Sequence, residues 1–148
     1  MNVAFGSDER TALTDSVRAE LEARGHAIVA VGPVADDRAQ HTKQWAEVGR
    51  EVGELVANGA AHTGVLFCWT GTGASIAANK VAGVRAALCT DAATAAGARQ
   101  WNDANVLVIS LRLTSPEVAR EMLDAWFATD PDPSEVENIA RLERPTTS

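Results

Sequence analysis

A cysteine stands directly before a glycine-rich loop in the segment CWTGTGASIAANK, residues 68–80. A thiolate is both a nucleophile and a base, and neighbouring backbone N–H groups favour the charged form of a thiol. The glycines leave room for backbone N–H groups to point at an anion where the loop enters a helix. Cys68 is therefore either a reactive thiol beside an anion-binding turn or a small buried residue that ends a strand.

Other polar residues also follow apolar runs. Asp8 comes after VAFGS and either caps a helix or faces a ligand. Asn102 and Asp103 precede the run ANVLVISL and form either a simple turn or part of a site. Trp69 and Trp101 stand next to these candidates, although indoles also serve packing alone. The glycine loop matches neither GxxxxGK[ST] nor GxGxxG, so no P-loop or dinucleotide fingerprint is predicted.

The elements that must position these residues alternate between strands and helices. Short apolar runs predict strands, and apolar residues at helical spacing predict helices between them. This order predicts an α/β fold, a three-layer αβα sandwich around a five-stranded parallel, Rossmann-like sheet. The predicted strands are 2–5, 26–32, 64–68, 84–89 and 105–111, and the predicted helices are 10–24, 43–58, 73–81, 92–102 and 116–128, with a short helix in the tail.

Ligands of such a sheet bind beyond the carboxyl ends of its strands. Residues 6–8 follow the first strand, residues 68–73 the third and Asp91 the fourth, so these groups are expected to converge. Asn102 closes the fourth helix just before the fifth strand, and the turn that holds it could also reach the site. Cys89, inside the apolar run VRAALC, is interpreted as structural.

Length and composition restrict the class of protein. The 148 residues predict one domain, residues 1–148. A net charge of −7 argues against nucleic-acid and membrane partners, and no apolar run approaches the ~20 residues that span a bilayer. The start MNVAFGSDER lacks the features of a signal peptide, so we expect a cytoplasmic protein. Two cysteines and three scattered histidines predict neither a metal site nor a cofactor.

Three stretches together resemble the family of type B ribose-5-phosphate isomerases and galactose-6-phosphate isomerase subunits. They are VAFGSD at 3–8, CWTGTGASIAANKVAGVRAALC at 68–89 and NDANVLVISLR at 102–112. The combination of GSD, CxTGxGxSIAANK, RAAL and NDANVL is far more specific than one glycine loop. The resemblance implies the same fold, metal-free interconversion of aldose and ketose sugar phosphates, and homodimers or tetramers whose sites are completed by the partner subunit. The tail, from about residue 129 to 148, is then expected to pack on that partner.

The resemblance implies a role for each matching residue. Cys68 matches the base that moves a proton between C1 and C2 through a cis-enediolate. The backbone of 71–73 matches the loop that holds the oxyanion. Asp8 matches the acid that handles hydroxyl protons, and Thr70 joins it as a catalytic residue. The residues assigned to substrate binding are Gly71, Thr72, Gly73, Ser75, Asn102, Arg112, Glu9, Trp69 and Trp101, with Arg112 matching an arginine that binds phosphate.

The sequence departs from this family around the substrate. Glu9 replaces the histidine of GSDHAG, and Trp101 stands where the family has a histidine implied in opening the sugar ring. Trp69 replaces the second residue of CGTG, and Trp45 falls near a pocket tyrosine. An arginine-rich C-terminal run, GGRHxRR, which clamps phosphate from the partner subunit, corresponds loosely to SEVEN at 134–138.

These departures predict an aldose–ketose isomerase with an altered substrate: a short, open-chain or non-phosphorylated sugar rather than ribose 5-phosphate. Ribose 5-phosphate is kept as an alternative substrate, since Arg141 or Arg144 could supply a missing cation. One alternative is a non-catalytic sugar-phosphate-binding module or a subunit of a hetero-oligomer, which keeps the loop without turnover. Another is a flavin or nucleotide carrier of flavodoxin-like shape.

Overall fold

Residues 1–143, which the computed structural model describes, contain five strands in one parallel sheet. They are β1 (Asn2–Ser7), β2 (Ala27–Val31), β3 (Thr63–Cys68), β4 (Ala86–Leu88) and β5 (Val106–Ser110). Their order across the sheet is β2-β1-β3-β5-β4, and every pairing is parallel. The predicted α/β fold is confirmed.

Helices cover both faces of the sheet, which gives the three predicted layers. They are α1 (Ala12–Ala23), α2 (Trp45–Ala57), α3 (Thr72–Asn79), α4 (Ala92–Asn102), α5 (Pro116–Ala128) and α6 (Val136–Leu142), with 3-10 turns at Gly32–Val34, Arg38–Gln40 and Pro133–Glu135. Helices α1, α4 and α5 pack on one face. Helices α2 and α3 pack on the other.

Side chains of the central strands alternate between these two layers. In β3, Val65 and Phe67 join the core beneath α1 and α5, whereas Leu66 and Cys68 join the core beneath α2 and α3. Every residue of β3 is buried, as expected for a parallel strand covered on both faces. Cys89 belongs to the first core, so the two thiols lie on opposite sides of the sheet.

A glycine lets α2 and α3 pack closely. A Cβ added to Gly49 of α2 would stand 2.8 Å from the carbonyl oxygen of Ala74 and 2.9 Å from Cβ of Ala77. One turn earlier in α2, the Trp45 indole lies against Gly73, where an added Cβ would be 2.8 Å from Cε3 of the ring. The contact between the helices therefore sets the position of this indole at the start of α3.

The edge strand β4 is shorter than the predicted strand 84–89, and side chains bond the backbone at its amino end. The amide of Asn79 accepts from Ala86 N–H at 2.8 Å and donates to the Ala86 carbonyl at 2.9 Å. The Asn105 side chain accepts from Arg85 N–H at 2.7 Å. These side chains take the place of a further strand neighbour at the amino end of β4.

The predicted short helix of the tail is present as α6. The segment before it is tied to α4 by Asp132 N–H, which donates to the Gln100 carbonyl at 2.7 Å. At its end, Arg85 donates to a carboxylate oxygen of Glu143 at 2.7 Å. Arg144, suggested above as a cation of the site, lies outside the described residues. Packing of the tail on a partner stays a prediction.

Residues 1–143 contain neither a membrane-spanning helix nor a cluster of metal ligands. Within that range, no helix is both long and apolar enough to cross a bilayer. The same range contains no group of three or more His, Cys, Asp or Glu side chains that could hold a metal ion.

Candidate active site

The centre of the sheet places Asp8 beside Cys68. Strands β1 and β3 are neighbours, and the remaining strands lie outward on either side of them. Such a reversal of strand order opens a crevice beyond the carboxyl ends. In the register of this pair Ser7 stands opposite Phe67. The residues that follow them, Asp8 and Cys68, are therefore neighbours at the carboxyl end of the sheet. Both side chains line one cleft.

Cys68 ends β3 with its thiol directed at the glycine loop. The Gly71 N–H donates to Sγ of Cys68 at 3.2 Å. The residue is only 4% exposed, yet it borders the cleft. Gly71 has a φ of +80°, the left-handed conformation that glycine adopts without steric cost, and this turn is what aims its N–H back at the sulfur.

The first turn of α3 offers backbone N–H groups to the same cleft. Gly71 precedes this turn, and no side chain caps it. The first intrahelical bond runs from Ser75 N–H to the Gly71 carbonyl, so the N–H groups of Thr72 and Gly73 have no intrahelical acceptor. The hydroxyls of Thr70 and Thr72 bond each other, with 2.7 Å between their Oγ1 atoms.

A buried serine shapes the turn that carries Asp8. The Ser7 hydroxyl donates to the Glu9 carbonyl at 2.6 Å and accepts from Glu9 N–H at 3.2 Å. Beneath it, a Cβ added to Gly32 would be 2.5 Å from the Ser7 carbonyl oxygen, so only glycine fits there. Burial raises the pKa of the Asp8 carboxyl above its ordinary value, and the charge of Glu9 acts in the same direction.

Two indoles form walls of the cleft, which has a volume of about 310 Å³. Trp45 lies on Gly73 and is 45% exposed, whereas Trp69 is 59% exposed. Much of both rings is therefore available to a ligand. The residues that line the cleft are Asp8, Trp45, Cys68, Trp69, Thr70, Thr72 and Gly73.

A second cleft of about 370 Å³ adjoins the first at Thr70 and contains Arg112. Its other lining residues are Ser110 and Leu113. The Trp69 carbonyl accepts from Arg112 N–H and from the Ser110 hydroxyl, both at 3.1 Å, which joins the loop after β3 to the loop after β5. The Arg112 side chain is exposed and forms no ion pair within residues 1–143.

Asn102 and Trp101 lie at the opposite edge of the sheet from Cys68. Asn102 ends α4 near the amino end of β5, and it borders a groove with Asn79. The Trp101 indole folds onto Gly97 of its own helix, 2.8 Å from a Cβ added there. A helix that starts at the carboxyl edge of a parallel sheet ends at the amino edge. A single chain therefore does not bring these two predicted residues to the cleft.

Two of the remaining predicted residues lie outside the cleft, and three residues that were not predicted line the two clefts. Glu9, adjacent to Asp8, is exposed, and Ser75 is half-buried in α3. Neither lines the cleft. Trp45, Ser110 and Leu113 line the two clefts although they were not among the predicted site residues. The sequence did contain a signal for Trp45, because it falls near a pocket tyrosine of the family. Ser110 carried none, because the pairing of β3 with β5 cannot be read from chain order.

Cys89 has a different environment from Cys68. It is fully buried in the core beneath α1, α4 and α5. Burial raises the pKa of its thiol to about 11, and the charge of Asp91 adds to this shift. A thiol with that pKa stays protonated at neutral pH. The structural interpretation of Cys89 accounts for these features.

Comparison with known proteins now identifies the family. The model of the ribose/galactose isomerase family matches residues 3–144. The chain belongs to this family. Ribose-5-phosphate isomerase B of Escherichia coli (strain K12) is 36% identical over 126 residues, which are 84% of this chain and 82% of that protein. D-erythrulose-4-phosphate isomerase of Pectobacterium atrosepticum is 32% identical over 128 residues, 86% and 82% of the two chains.

A solved structure of a ribose/galactose isomerase has the same fold. The Mycoplasma genitalium ribose-5-phosphate isomerase B with bound ribulose-5-phosphate matches with a TM-score of 0.86 and 28% identity, over 97% of this chain and 94% of that one. The resemblance stated from the sequence is thereby confirmed. This ribose/galactose isomerase is an enzyme of the sugar-phosphate aldose–ketose isomerase class.

Proposed function

We propose that this isomerase interconverts an aldose and a ketose through a cis-enediolate, with Cys68 as the base. The observation that carries the proposal is the 3.2 Å contact between Sγ of Cys68 and the Gly71 N–H at the uncapped start of α3. It joins a proton acceptor and oxyanion donors in one loop. Proton abstraction and enediolate stabilisation need that proximity.

The reaction begins when the Cys68 thiolate takes the proton from C2 of the aldose. The electrons of the C2–H bond form the C1=C2 double bond, and the carbonyl electrons move to O1. The N–H groups of Thr72 and Gly73 stabilise the charge on O1. The thiol then returns its proton to C1, which gives the ketose. Asp8 and Thr70 handle the hydroxyl protons. The raised pKa of Asp8 suits proton transfer nearer neutral pH.

The substrate that the site suits best is a short, open-chain sugar phosphate with four carbons. The indoles of Trp45 and Trp69 narrow the cleft, and no histidine of residues 1–143 lines it to open a ring. A four-carbon aldose with its phosphate on O4 cannot close a furanose ring, so it needs no ring-opening acid. Arg112 in the adjoining cleft is the cation available to the phosphate. One relative is named for a four-carbon ketose phosphate.

Proton NMR in heavy water tests this function. The panel holds sugars of four to six carbons, each with and without phosphate. We expect deuterium at C2 of a four-carbon aldose phosphate and formation of its ketose. Cys68→Ala should lower both rates at least ~100-fold, because general base catalysis contributes about that much. The matched control, Cys89→Ala, removes the thiol outside the cleft and should keep the exchange.

Two results contradict the enediolate mechanism with Cys68 as the base, and two others reject only the proposed substrate or its phosphate contact. Absence of exchange across the panel favours the non-catalytic sugar-phosphate-binding module. Exchange that survives Cys68→Ala assigns the base to another residue. Fastest turnover with ribose 5-phosphate leaves the mechanism intact and rejects the short substrate. A preference for unphosphorylated sugars rejects the role of Arg112.

A further inference from the structure

The side-chain hydroxyls of Thr70 and Thr72 form no hydrogen bond that stabilises the fold of residues 1–143. Threonine before or at the start of a helix ordinarily caps a backbone N–H. Here neither hydroxyl does so, and α3 begins uncapped. Across residues 1–143, each of the two hydroxyls hydrogen-bonds only to the other. By contrast, Thr11 and Ser115 cap α1 and α5 with their hydroxyls.

The pair is equipped to exchange protons with a ligand. Each threonine hydroxyl has one donor and two acceptor positions, so the bond between them leaves one donor and three acceptor positions open. Both residues are exposed, and both line the cleft that contains Cys68 and Asp8. Thr72 occupies a variable position of the pattern CxTGxGxSIAANK. The second hydroxyl is therefore a feature of this chain beyond that pattern.

We propose that the Thr70–Thr72 hydroxyl pair is the relay that carries the hydroxyl proton between O2 and O1 of the substrate. The proposal rests on the enediolate function proposed above, and it assigns to Thr70 and Thr72 the transfer between O2 and O1 that was given there to Asp8 and Thr70. Base catalysis by Cys68 moves the carbon-bound proton from C2 to C1, but the ketose also requires that O2 lose a proton and O1 gain one. These oxygens cannot exchange it through Cys68 while the thiol holds the carbon proton.

The relay balances in atoms and electrons. From the enediolate, O2–H gives its proton to Oγ1 of Thr72, Thr72 gives its own proton to Oγ1 of Thr70, and Thr70 gives its own to the charged O1. The O2–H bonding electrons become the new C2 carbonyl, and the C1=C2 electrons take the proton from Cys68. Each threonine ends as it began. The reverse sequence serves the ketose.

The geometry of the pair suits this transfer. The 2.7 Å between the two Oγ1 atoms is close to the separation of vicinal oxygens on a cis double bond. Two hydroxyls can thus face O1 and O2 together, each at hydrogen-bond distance. Asp8 is the other group lining the cleft that could exchange a hydroxyl proton, so the experiment must distinguish it from the pair.

The test compares two rates in heavy water, with the aldose that the wild type turns over fastest. One rate is deuterium entry at C2 of recovered aldose, which needs only enediolate formation and return. The other is formation of ketose, which also needs the hydroxyl transfer. In Thr72→Val, which keeps the shape and removes the hydroxyl, we expect ketose formation to fall roughly 100-fold. Exchange should fall much less, so the ratio of exchange to conversion rises.

Thr72→Ser keeps a hydroxyl and should restore the wild-type ratio. A ratio of exchange to conversion that is unchanged in Thr72→Val overturns the relay. If both rates fall together, Thr72 has a structural role. If neither rate falls, hydroxyl transfer belongs to Asp8. Thr72→Ala decides the question if the valine variant does not fold. Absence of exchange in the wild type with every sugar is a different result, since it rejects the enediolate function itself and the relay with it.

Discussion

Asp8 and Asp91 each follow a strand, yet the folded chain shifts their proton affinities in opposite directions. Burial raises the pKa of Asp8. Hydrogen bonding from Thr94 N–H, at 2.8 Å, lowers the pKa of Asp91, which caps α4. From sequence alone Asp8 had two interpretations, a helix cap or a ligand contact, whereas Asp91 was expected to converge on the site with residues 6–8 and 68–73. Asp91 instead caps α4 and does not line the cleft. The environment of each carboxyl now separates a cleft residue from a structural one.

Asp8→Asn should raise the melting temperature at pH 7. The pKa of Asp8 is higher in the folded chain than in the unfolded chain. Ionisation of Asp8 therefore lowers the stability of the folded wild type as the pH rises from about 3.9, the ordinary value, through the raised value. The gain of the variant should therefore be full above that window and vanish below it. Melting curves of both proteins between pH 3 and 8 measure this.

Asp91→Ala is the matched control with the opposite sign. Its lowered pKa contributes stability that is present above the ordinary value and lost as the pH falls through the lowered value. This variant should melt below the wild type at pH 7 and approach it in acid. Equal behaviour of the two variants across the pH range would falsify the assignment of opposite environments.

At the scale of elements, the contact of α2 with α3 connects the core to the site. Gly49→Ala should destabilise the fold by about 1–3 kcal/mol, because the new methyl meets the Ala74 backbone oxygen at 2.8 Å. Alanine is the better helix former by up to ~1 kcal/mol, which the steric clash must exceed. Separation of the helices also shifts Trp45, so activity should fall at temperatures where the variant stays folded.

Urea unfolding and steady-state kinetics measure the two effects of Gly49→Ala. Ala46→Val adds carbon atoms to an exposed position of the same helix. Its free energy of unfolding should stay within ~1 kcal/mol of the wild type, since valine is only a slightly poorer helix former than alanine. A Gly49→Ala protein more stable than the wild type would show that the two helices separate at little cost.

The elements themselves were readable from the sequence. Buried parallel strands are continuously apolar, so β1, β3 and β5 stood out. Ser115 followed by Pro116, a capping residue before a first-turn proline, predicted where α5 begins. The pairing of β5 between β3 and β4 was not readable, because it joins segments far apart in the chain. For that reason Ser110 was missed. The Thr70–Thr72 contact depends on rotamers that no local pattern encodes.

At the scale of the whole molecule, the chemistry and a structural lock occupy opposite edges of the sheet. Arg85 and Arg99 both pair with Asp103, at 3.4 and 3.0 Å. Asp103 has a φ of +46°, the one left-handed residue other than glycine in residues 1–143. Residues of the motifs RAAL and NDANVL therefore fix the amino edge. Asn102, in the second motif, is held far from Cys68 of its own chain.

A shared site would resolve this separation, and mixing two variants tests it. If a partner subunit supplies Asn102, an equal mixture of Cys68→Ala and Asn102→Ala proteins, unfolded and refolded together, forms hybrid dimers with one intact site. Random assortment then restores about a quarter of the wild-type activity. Each variant refolded alone is the control. If mixing restores no activity, Asn102 does not complete the site of a partner subunit.

The tryptophans divide by burial in a way that makes the protein its own optical probe. Trp126 is 3% exposed, its indole N–H donates to the Thr63 hydroxyl at 3.1 Å, and the Arg99 guanidinium lies 5.5 Å from its ring centre. Its emission reports on the core. Trp45 and Trp69 border the cleft, so their emission reports on occupancy. Fluorescence can thus follow ligand binding and unfolding in one sample without any attached dye.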